Sequence, residues 1–557
     1  MKSESSNVLG MKSESSNVLG HLIEVTGDYF VARLTSDLEG LFSDKMIGMD
    51  KVRVGQVGSY LMVRQSHTKI LSMVESMWSE TTADGREINK IRLSPLGEFD
   101  SNGNFDRGIH HYPTAGAELH MVSSWNLERI FSDFSEVFYK VGKLSSFESI
   151  DVYLDASNFF GRHAAILGQT GSGKSWTVTS LIQSALRYMP NAHVIIMDMH
   201  GEYGVKRTDS LVSSPFPSNK VRCMDALELE IPYWLLTYSD LADLIINPED
   251  VNASLQLAFL RTALGELRIE ANKSESLGHI TVDSPVYFSL QELRDKFELA
   301  NQETEDFGRV KGATYGRFNQ LLVRLDSMMN DTRYDFMLKP VMRTSTATLV
   351  DLMRDFVGLG EPKANVTVLN LSAIPYDVAP MVTALIGRLA FEFNFWNPKC
   401  LEFPIWLVCE EAQQYIPRND DSRYKEARRT FEHISKAGRK YGVGLCIVSQ
   451  RPHEVSETVL AQCGTFLCLR IANPDDQEYL RDMVPDSARG TFSAITSLGR
   501  GELVAMGSAV PMPVRFQMNL PNPPPNSQDV NFAEKWSKGG EEIDVALLVS
   551  NWHRQIR

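Results

Sequence analysis

Eight consecutive residues, Gly168-Gln169-Thr170-Gly171-Ser172-Gly173-Lys174-Ser175, fit G-x-x-x-x-G-K-[ST] in full. The glycines let backbone N–H groups turn inward around anionic oxygens, and the start of a following helix adds partial positive charge. A lysine in this place reaches the β- and γ-phosphates, and the adjoining hydroxyl ligates Mg2+. The pattern therefore assigns Lys174 to the phosphates of ATP and Ser175 to the metal, with Trp176 next to them on the nucleotide.

A second cluster closes the stretch Ile405-Trp406-Leu407-Val408-Cys409-Glu410-Glu411, an apolar run that ends in two carboxylates. In chains that hydrolyse nucleotides, a buried strand with acids at its end lies beside the phosphate-loop strand. The first acid holds Mg2+, usually through water, and the second orients or deprotonates the attacking water. Glu410 takes the first position, usually an Asp, and Glu411 the second. Glutamate offers the same hard oxygens one methylene further out, and the waters that Mg2+ retains absorb the difference. The outcomes left open are that Glu410 serves the metal and turnover survives, that ATP binds and is hydrolysed poorly, or that the two coupled carboxylates share the roles.

Other polar groups fall where a parallel sheet presents its catalytic edge. "MDMHGEYG" sets Asp198, His200 and Glu202 after a strand, near the nucleotide. "VSQRP" sets Ser449 and Gln450 after another, where a glutamine can sense the γ-phosphate or the attacking water. "LRIANPDDQ" sets Arg470 and Asn473 after a third, as site residues or as plain turn residues. Phosphoryl transfer develops charge that a guanidinium stabilises. Arg439, in "SKAGRKYGVG", stands in a helix-to-strand turn from which it can point to a neighbouring subunit, and Arg162 precedes the phosphate-loop strand. Each competes with a solvated surface charge.

These residues need a sheet to position them. "HAAILG", "SWTVTSLIQSALRYM" and "HVIIMD" read as strand, helix, strand, the mark of a parallel α/β sheet. Strands return at 365–372, 404–409, 444–449 and 465–471. Between them, about 237–360 carries helical periodicity. The expected organisation is a β-barrel domain at 21–145, a RecA-like P-loop ATPase core at 146–236 and 361–525, an inserted helical bundle at 237–360 and a tail at 526–557. The barrel reading rests on short strand-like runs punctuated by glycine. "MKSESSNVLG" occurs twice, at 1–10 and 11–20. An exact tandem copy with its own Met is set apart from the fold.

Composition sets bounds. The 557 residues, 43% hydrophobic and 23% charged, suit a soluble chain of several domains. No apolar run approaches the roughly 20 residues that span a bilayer, and no apolar leader opens the chain, so a cytoplasmic location is expected. Six cysteines without a CxxC pair read as buried thiols in a reducing compartment. A net charge of −14 excludes a protein coated in positive charge, so if the chain binds DNA the contacts must lie in a local basic channel. Residues 418–440 hold eight Lys and Arg against four acids. That run either lines such a channel or is a solvated helix face.

"GRHAAILGQTGSGKS", "IMDMHGEY", the acid pair with "AQQYIP", "GRKYGVGLCIVSQRP" and "SETVLAQCGTFLCLRIANPDDQ" together resemble the HerA branch of the HerA/FtsK ATPases. "VGQVGSYLMV" is similar to that family's barrel. The resemblance implies a homo-hexameric ring, ATP and Mg2+ between subunits, and double-stranded DNA in the pore. It carries Lys174 and Ser175 to the phosphate and metal roles, Glu411 to the catalytic glutamate, Gln450 to the sensor, Arg439 to the arginine donated in trans, and Arg162 to a further arginine near the site. Glu410 departs from the family's usual Asp. Such rings work with a partner, either a NurA-type nuclease or an antiphage effector that is sirtuin-like or carries a nuclease domain. The expected function is an ATP-driven translocase or helicase on duplex DNA. The alternatives are a nucleotide-switched platform that docks and activates an effector, and a DNA-pumping or secretion ATPase.

Overall fold

The computed structural model describes residues 18–554, apart from 36–44, 48–49, 53–56, 82, 86, 135–138, 205–213, 226–229, 276, 306–309, 375, 377, 420–423, 484–491, 528–530 and 539–542. The chain divides into two compact units. One comprises Met1–Asn191, Glu411–Gln413 and Gly444–Pro524, the other Ala192–Glu410, Gln414–Val443 and Pro525–Arg557.

The first unit opens with a barrel. Its strands are β1 (Val18–Val25), β2 (Phe30–Leu34), β5 (Tyr60–Gln65), β6 (Thr68–Thr81), β7 (Glu87–Phe99) and β9 (Glu118–Met121); a small hairpin, β3 (Lys45–Ile47) with β4 (Asp50–Val52), lies between β2 and β5 in sequence, and β8 (Phe105–Arg107) continues the sheet beside β7. The order β2-β1-β9-β5-β6-β7 closes on itself because β2 also pairs with β7. Closure leaves the six strands without a free edge. Phe30, Met62, Ile70, Leu93 and Leu119 are fully buried. Two strand expectations are corrected here. Of the strands after residue 65, β6 and β7 are long rather than short, 14 and 13 residues, while β8 and β9 are short as expected, 3 and 4 residues. The last three residues of the repeated decapeptide belong to β1: Leu19 is buried, and Gly20 packs so closely on β2 that a Cβ would stand 2.3 Å from the Arg33 carbonyl oxygen. The rest of the repeat lies outside the described residues.

The same unit holds the phosphate-loop half of the α/β core. Here β12 (Ala164–Leu167) lies between β19 (Val443–Ser449) and β20 (Thr465–Cys468), parallel to both. Beyond β20 the sheet continues antiparallel through β21 (Glu502–Gly507), β22 (Val514–Met518), β10 (Tyr139–Leu144) and β11 (Asp151–Leu154). Every residue of β12 and β19 is buried, which explains their unbroken apolar text.

In the second unit β18 (Ile405–Cys409), β13 (Val194–Asp198), β17 (Val366–Asn370) and β14 (Val221–Asp225) pair in parallel in that order. Between β14 and β17 runs the helical insertion, with helices Tyr238–Ile245, Ala253–Glu275, Leu290–Asn301, Asn319–Met329, Asp335–Leu338 and Leu349–Phe356, and a short hairpin of β15 (Thr304–Glu305) and β16 (Val310–Lys311). Its centre is aromatic: the rings of Phe259, Phe297 and Phe318 meet pairwise at 4.9, 4.9 and 5.1 Å. The fold is thus an α/β P-loop core with an N-terminal β-barrel and inserted helices.

Four of the six cysteines are buried, and burial pushes the thiols of Cys463 and Cys468 up to about 12. Cys223 and Cys400 are only partly covered, so the expectation of buried thiols fails for these two. Among the described residues no helix is long and apolar enough to cross a membrane.

Candidate functional site

The phosphate loop lies between β12 and the helix Lys174–Tyr188. Gly171 and Gly173 adopt left-handed φ of +74° and +108°, which a side chain would resist. Gly168 is fixed by space: a Cβ there would stand 2.6 Å from Ser172 Oγ and 2.8 Å from Leu469 Cβ. The Gln169 carbonyl accepts the Ser172 hydroxyl at 2.7 Å and the Lys174 ammonium at 3.4 Å, while the Gln169 side-chain oxygen accepts the Ala472 N–H at 3.0 Å. Gln169 and Ser172 thus shape the loop. No side chain caps the helix at Gly173, so its first-turn N–H groups face the loop as donors. Two buried polar atoms on that turn, the Trp176 indole N–H and the Thr177 hydroxyl, have no hydrogen-bond partner among the described residues. A helix end without a side-chain cap, a largely buried lysine and the adjacent Ser175 hydroxyl suit a phosphate chain with its Mg2+.

Glu411 belongs to the same unit. It follows β18 with a φ of +48°, rare for a residue with a Cβ, and it is buried. Its carboxylate accepts the Gln413 side-chain N–H at 2.5 Å, and the Gln413 oxygen accepts the Ser449 hydroxyl at 2.7 Å. Next along the chain, Gln450 accepts the Thr170 hydroxyl of the phosphate loop at 2.5 Å, which leaves its NH2 as the outward donor. The structure therefore gathers Glu411, Gln450, Ser449 and the phosphate loop. Gln413 is one residue that sequence reading missed. The acid pair drew attention to its neighbours, and only its position in the short 3-10 turn after Glu411 reveals its use.

The second unit places the other candidates. Asp198 ends β13 buried, and its two oxygens accept backbone N–H groups from His200 to Gly204, at 2.8 Å from Gly201 and 2.9 Å from Tyr203. It holds its own loop, which leaves His200 exposed and Glu202 half-buried. That loop inserts Tyr203, whose hydroxyl donates to Glu410 Oε1. Burial and the Glu410 carboxylate push the Tyr203 phenol well above its ordinary value of 10, so it stays a donor. Glu410 is buried, and one of its oxygens is engaged by this tyrosine, which the sequence did not single out.

The arginines differ. Arg439 is exposed in the 3-10 turn Gly438–Tyr441, with no ion pair recorded among the described residues. Arg162 is also exposed, and its carbonyl accepts the Gly464 N–H at 2.7 Å. Arg470 contributes its carbonyl to the Gln169 N–H at 3.0 Å, and Asn473 accepts the Asp475 N–H at 2.9 Å as a local helix-start contact, so both read as turn residues. In the basic run, Arg428 pairs with Glu432 at 2.8 Å and Arg429 with Glu426 at 2.7 Å, while Lys425, Lys436 and Lys440 are exposed. Arg423 lies outside the described residues. Among the described residues no group of three or more His, Cys, Asp or Glu forms a metal cage.

Comparison with known proteins accords with this geometry. The profile of the helicase HerA central domain matches residues 139–390 and that of the helicase HerA-like C-terminal domain matches 421–535, together more than half of the chain. The chain is similar to a probable helicase of Methanocaldococcus jannaschii, 24% identical over 87% of this chain and 90% of that one. It is also similar to the DNA double-strand break repair helicase HerA of Sulfolobus acidocaldarius, 27% identical over 79% and 80%. The solved VirB4 of Thermoanaerobacter pseudethanolicus is similar at 18% identity and a TM-score of 0.46, over 69% of this chain and 96% of that one.

Proposed function

The chain belongs to the HerA branch of the HerA/FtsK P-loop ATPases, and from that premise we propose that it is an ATP hydrolase that translocates on double-stranded DNA as a homo-hexameric ring. The observation that carries this reading is the chain of contacts through Glu411, Gln413 and Ser449, followed in sequence by Gln450 and its bond to Thr170. A base, the group that orients it and a γ-phosphate sensor meet the phosphate loop within one unit.

The roles follow from the chemistry. The phosphate-loop N–H groups and Lys174 would bind the phosphate oxygens, Ser175 would hold Mg2+, and Glu410 would take a metal-side role by its first place in the acid pair. When bound, that ion neutralises charge on the β- and γ-phosphate oxygens. Glu411 orients the attacking water and draws off its proton, with Gln413 fixing the carboxylate. The Gln450 NH2 points to the γ-phosphate or the water. Arg439 reaches the site of the neighbouring subunit, and Arg162 supports a site from its surface position. The exposed cations of 418–440 line the DNA channel.

A second reading, a nucleotide-switched platform for a nuclease or a sirtuin-like antiphage effector, is favoured by one feature. The C-terminal helices Phe532–Lys538 and Val545–Arg554 leave Phe532, Trp536, Val545, Leu547 and Trp552 exposed. Partner-binding surfaces often look like this. ATP hydrolysis with and without linear duplex DNA separates the two, with Glu411→Gln as the blank. Strong stimulation by DNA supports the translocase. Turnover that ignores DNA supports the platform, and an active Glu411→Gln variant rejects the assignment of the base.

A further inference from the structure

Resting on the reading that the phosphate loop holds a nucleotide, we infer that Arg500 and Trp176 form the subsite for its base. Arg500 stands in the turn Gly499–Gly501 that precedes β21. The turn's backbone is tied down from several directions. The Gly501 N–H donates to the Ser172 carbonyl of the phosphate loop at 3.3 Å. The Gly499 N–H donates to the Glu502 carboxylate at 3.0 Å, and that carboxylate is itself held by Arg515 at 2.6 and 2.9 Å and by Ser145 at 2.7 Å. The Gln517 amide donates to the Arg500 carbonyl at 3.3 Å. Gly501 carries a left-handed φ of +71°, so the tight turn depends on a residue without a Cβ.

On this fixed backbone the Arg500 side chain is exposed, and its guanidinium stands 5.9 Å from the centre of the Trp176 ring. No carboxylate pairs with it among the described residues. A cation beside a helix N-terminus and Lys174 gains nothing from those neighbours, which are also positive. Among the described residues the indole supplies the favourable contact of this side chain. Trp176 directly follows Ser175, so the pair adjoins the end of the phosphate loop. The guanidinium and the indole, 5.9 Å apart, each offer a flat, polarisable face. A purine base is also flat, and stacking against such a surface needs no hydrogen-bonding pattern on the base. A phosphate contact is the competing use of the same arginine, and it is distinguishable because it requires only charge.

The test is calorimetric binding of ADP and of pyrophosphate to the full chain, wild type and variants, with no turnover involved. Arg500→Ala and Arg500→Lys should each weaken ADP about tenfold while leaving pyrophosphate unchanged, because lysine keeps the charge and loses the planar stack. Trp176→Ala should weaken ADP alone in the same way, and Trp176→Phe should recover most of the loss. Equal weakening of pyrophosphate, or rescue by lysine, would make Arg500 a phosphate ligand and overturn the base subsite. Unchanged ADP binding in Arg500→Ala would overturn it as well. Lys174→Ala should lose both ligands. If wild type bound neither, the nucleotide reading itself would fall, an outcome distinct from loss of ADP binding alone.

Discussion

Glu411 occupies a backbone conformation that disfavours side chains, at a cost of about 1 kcal/mol, and the protein retains it at the proposed catalytic carboxylate. The Gln413 amide does the aiming, itself oriented by the Ser449 hydroxyl. Removing a hydrogen bond to a charged group costs about 1.5–3 kcal/mol, so Gln413→Ala should lower kcat by about tenfold or more. Its KM for ATP should stay close to wild type, because the phosphate loop is untouched. Steady-state kinetics checks this, and a change confined to KM would place Gln413 in binding instead. Glu411 and Gln450 were legible in sequence because each follows an apolar run. Gln413 and Tyr203 were not, because their partners are set by how turns fold back. Tyr203 meets Glu410 from 207 residues away.

At the scale of elements, the helical insertion depends on one buried cation. Arg268 is fully buried and donates to the carbonyls of Trp234 at 3.1 Å, Leu236 at 2.8 Å and Val282, with Phe288 beneath its guanidinium at 5.4 Å. Burial lowers it to about 10, still well above neutral pH, so it remains charged without a carboxylate bonded to it. Arg268→Met keeps the volume and strands three carbonyls, at a cost on the order of 3 kcal/mol. Urea unfolding should show that loss, with faster amide exchange concentrated in 231–290; stability unchanged within error would mean that the carbonyls find other donors. Periodicity made the helices readable, yet nothing in their text marked Arg268 as buried. Its neighbours on the helix Ala253–Glu275 are the ordinary mixture of polar and apolar residues.

For the whole molecule, the proposed ring makes a prediction that a single subunit cannot meet. Arg439→Ala and Glu411→Gln should each abolish turnover while ATP still binds. Mixed before assembly, the two inactive chains should regain part of the ATPase activity, because sites then form between an intact Glu411 on one copy and an intact Arg439 on the next. Activity measured across mixing ratios checks this. No recovery at any ratio, with mixed rings verified, would return Arg439 to its own subunit's site or to the solvent.

Sequence alone determined the phosphate loop, the acid pair and the alternation of strands and helices. Each is a local property: a spacing of glycines, a run of buried residues, a period of 3.6. The closure of the barrel, the inclusion of Val18–Gly20 in β1, the commitment of Asp198 to its own loop and the partners of Glu410 and Glu411 were decided by tertiary structure. Those are contacts between residues far apart in the chain. Composition and periodicity carry no record of which distant hydroxyl or amide meets a given carboxylate, since that depends on the register of strands and the turn of each loop.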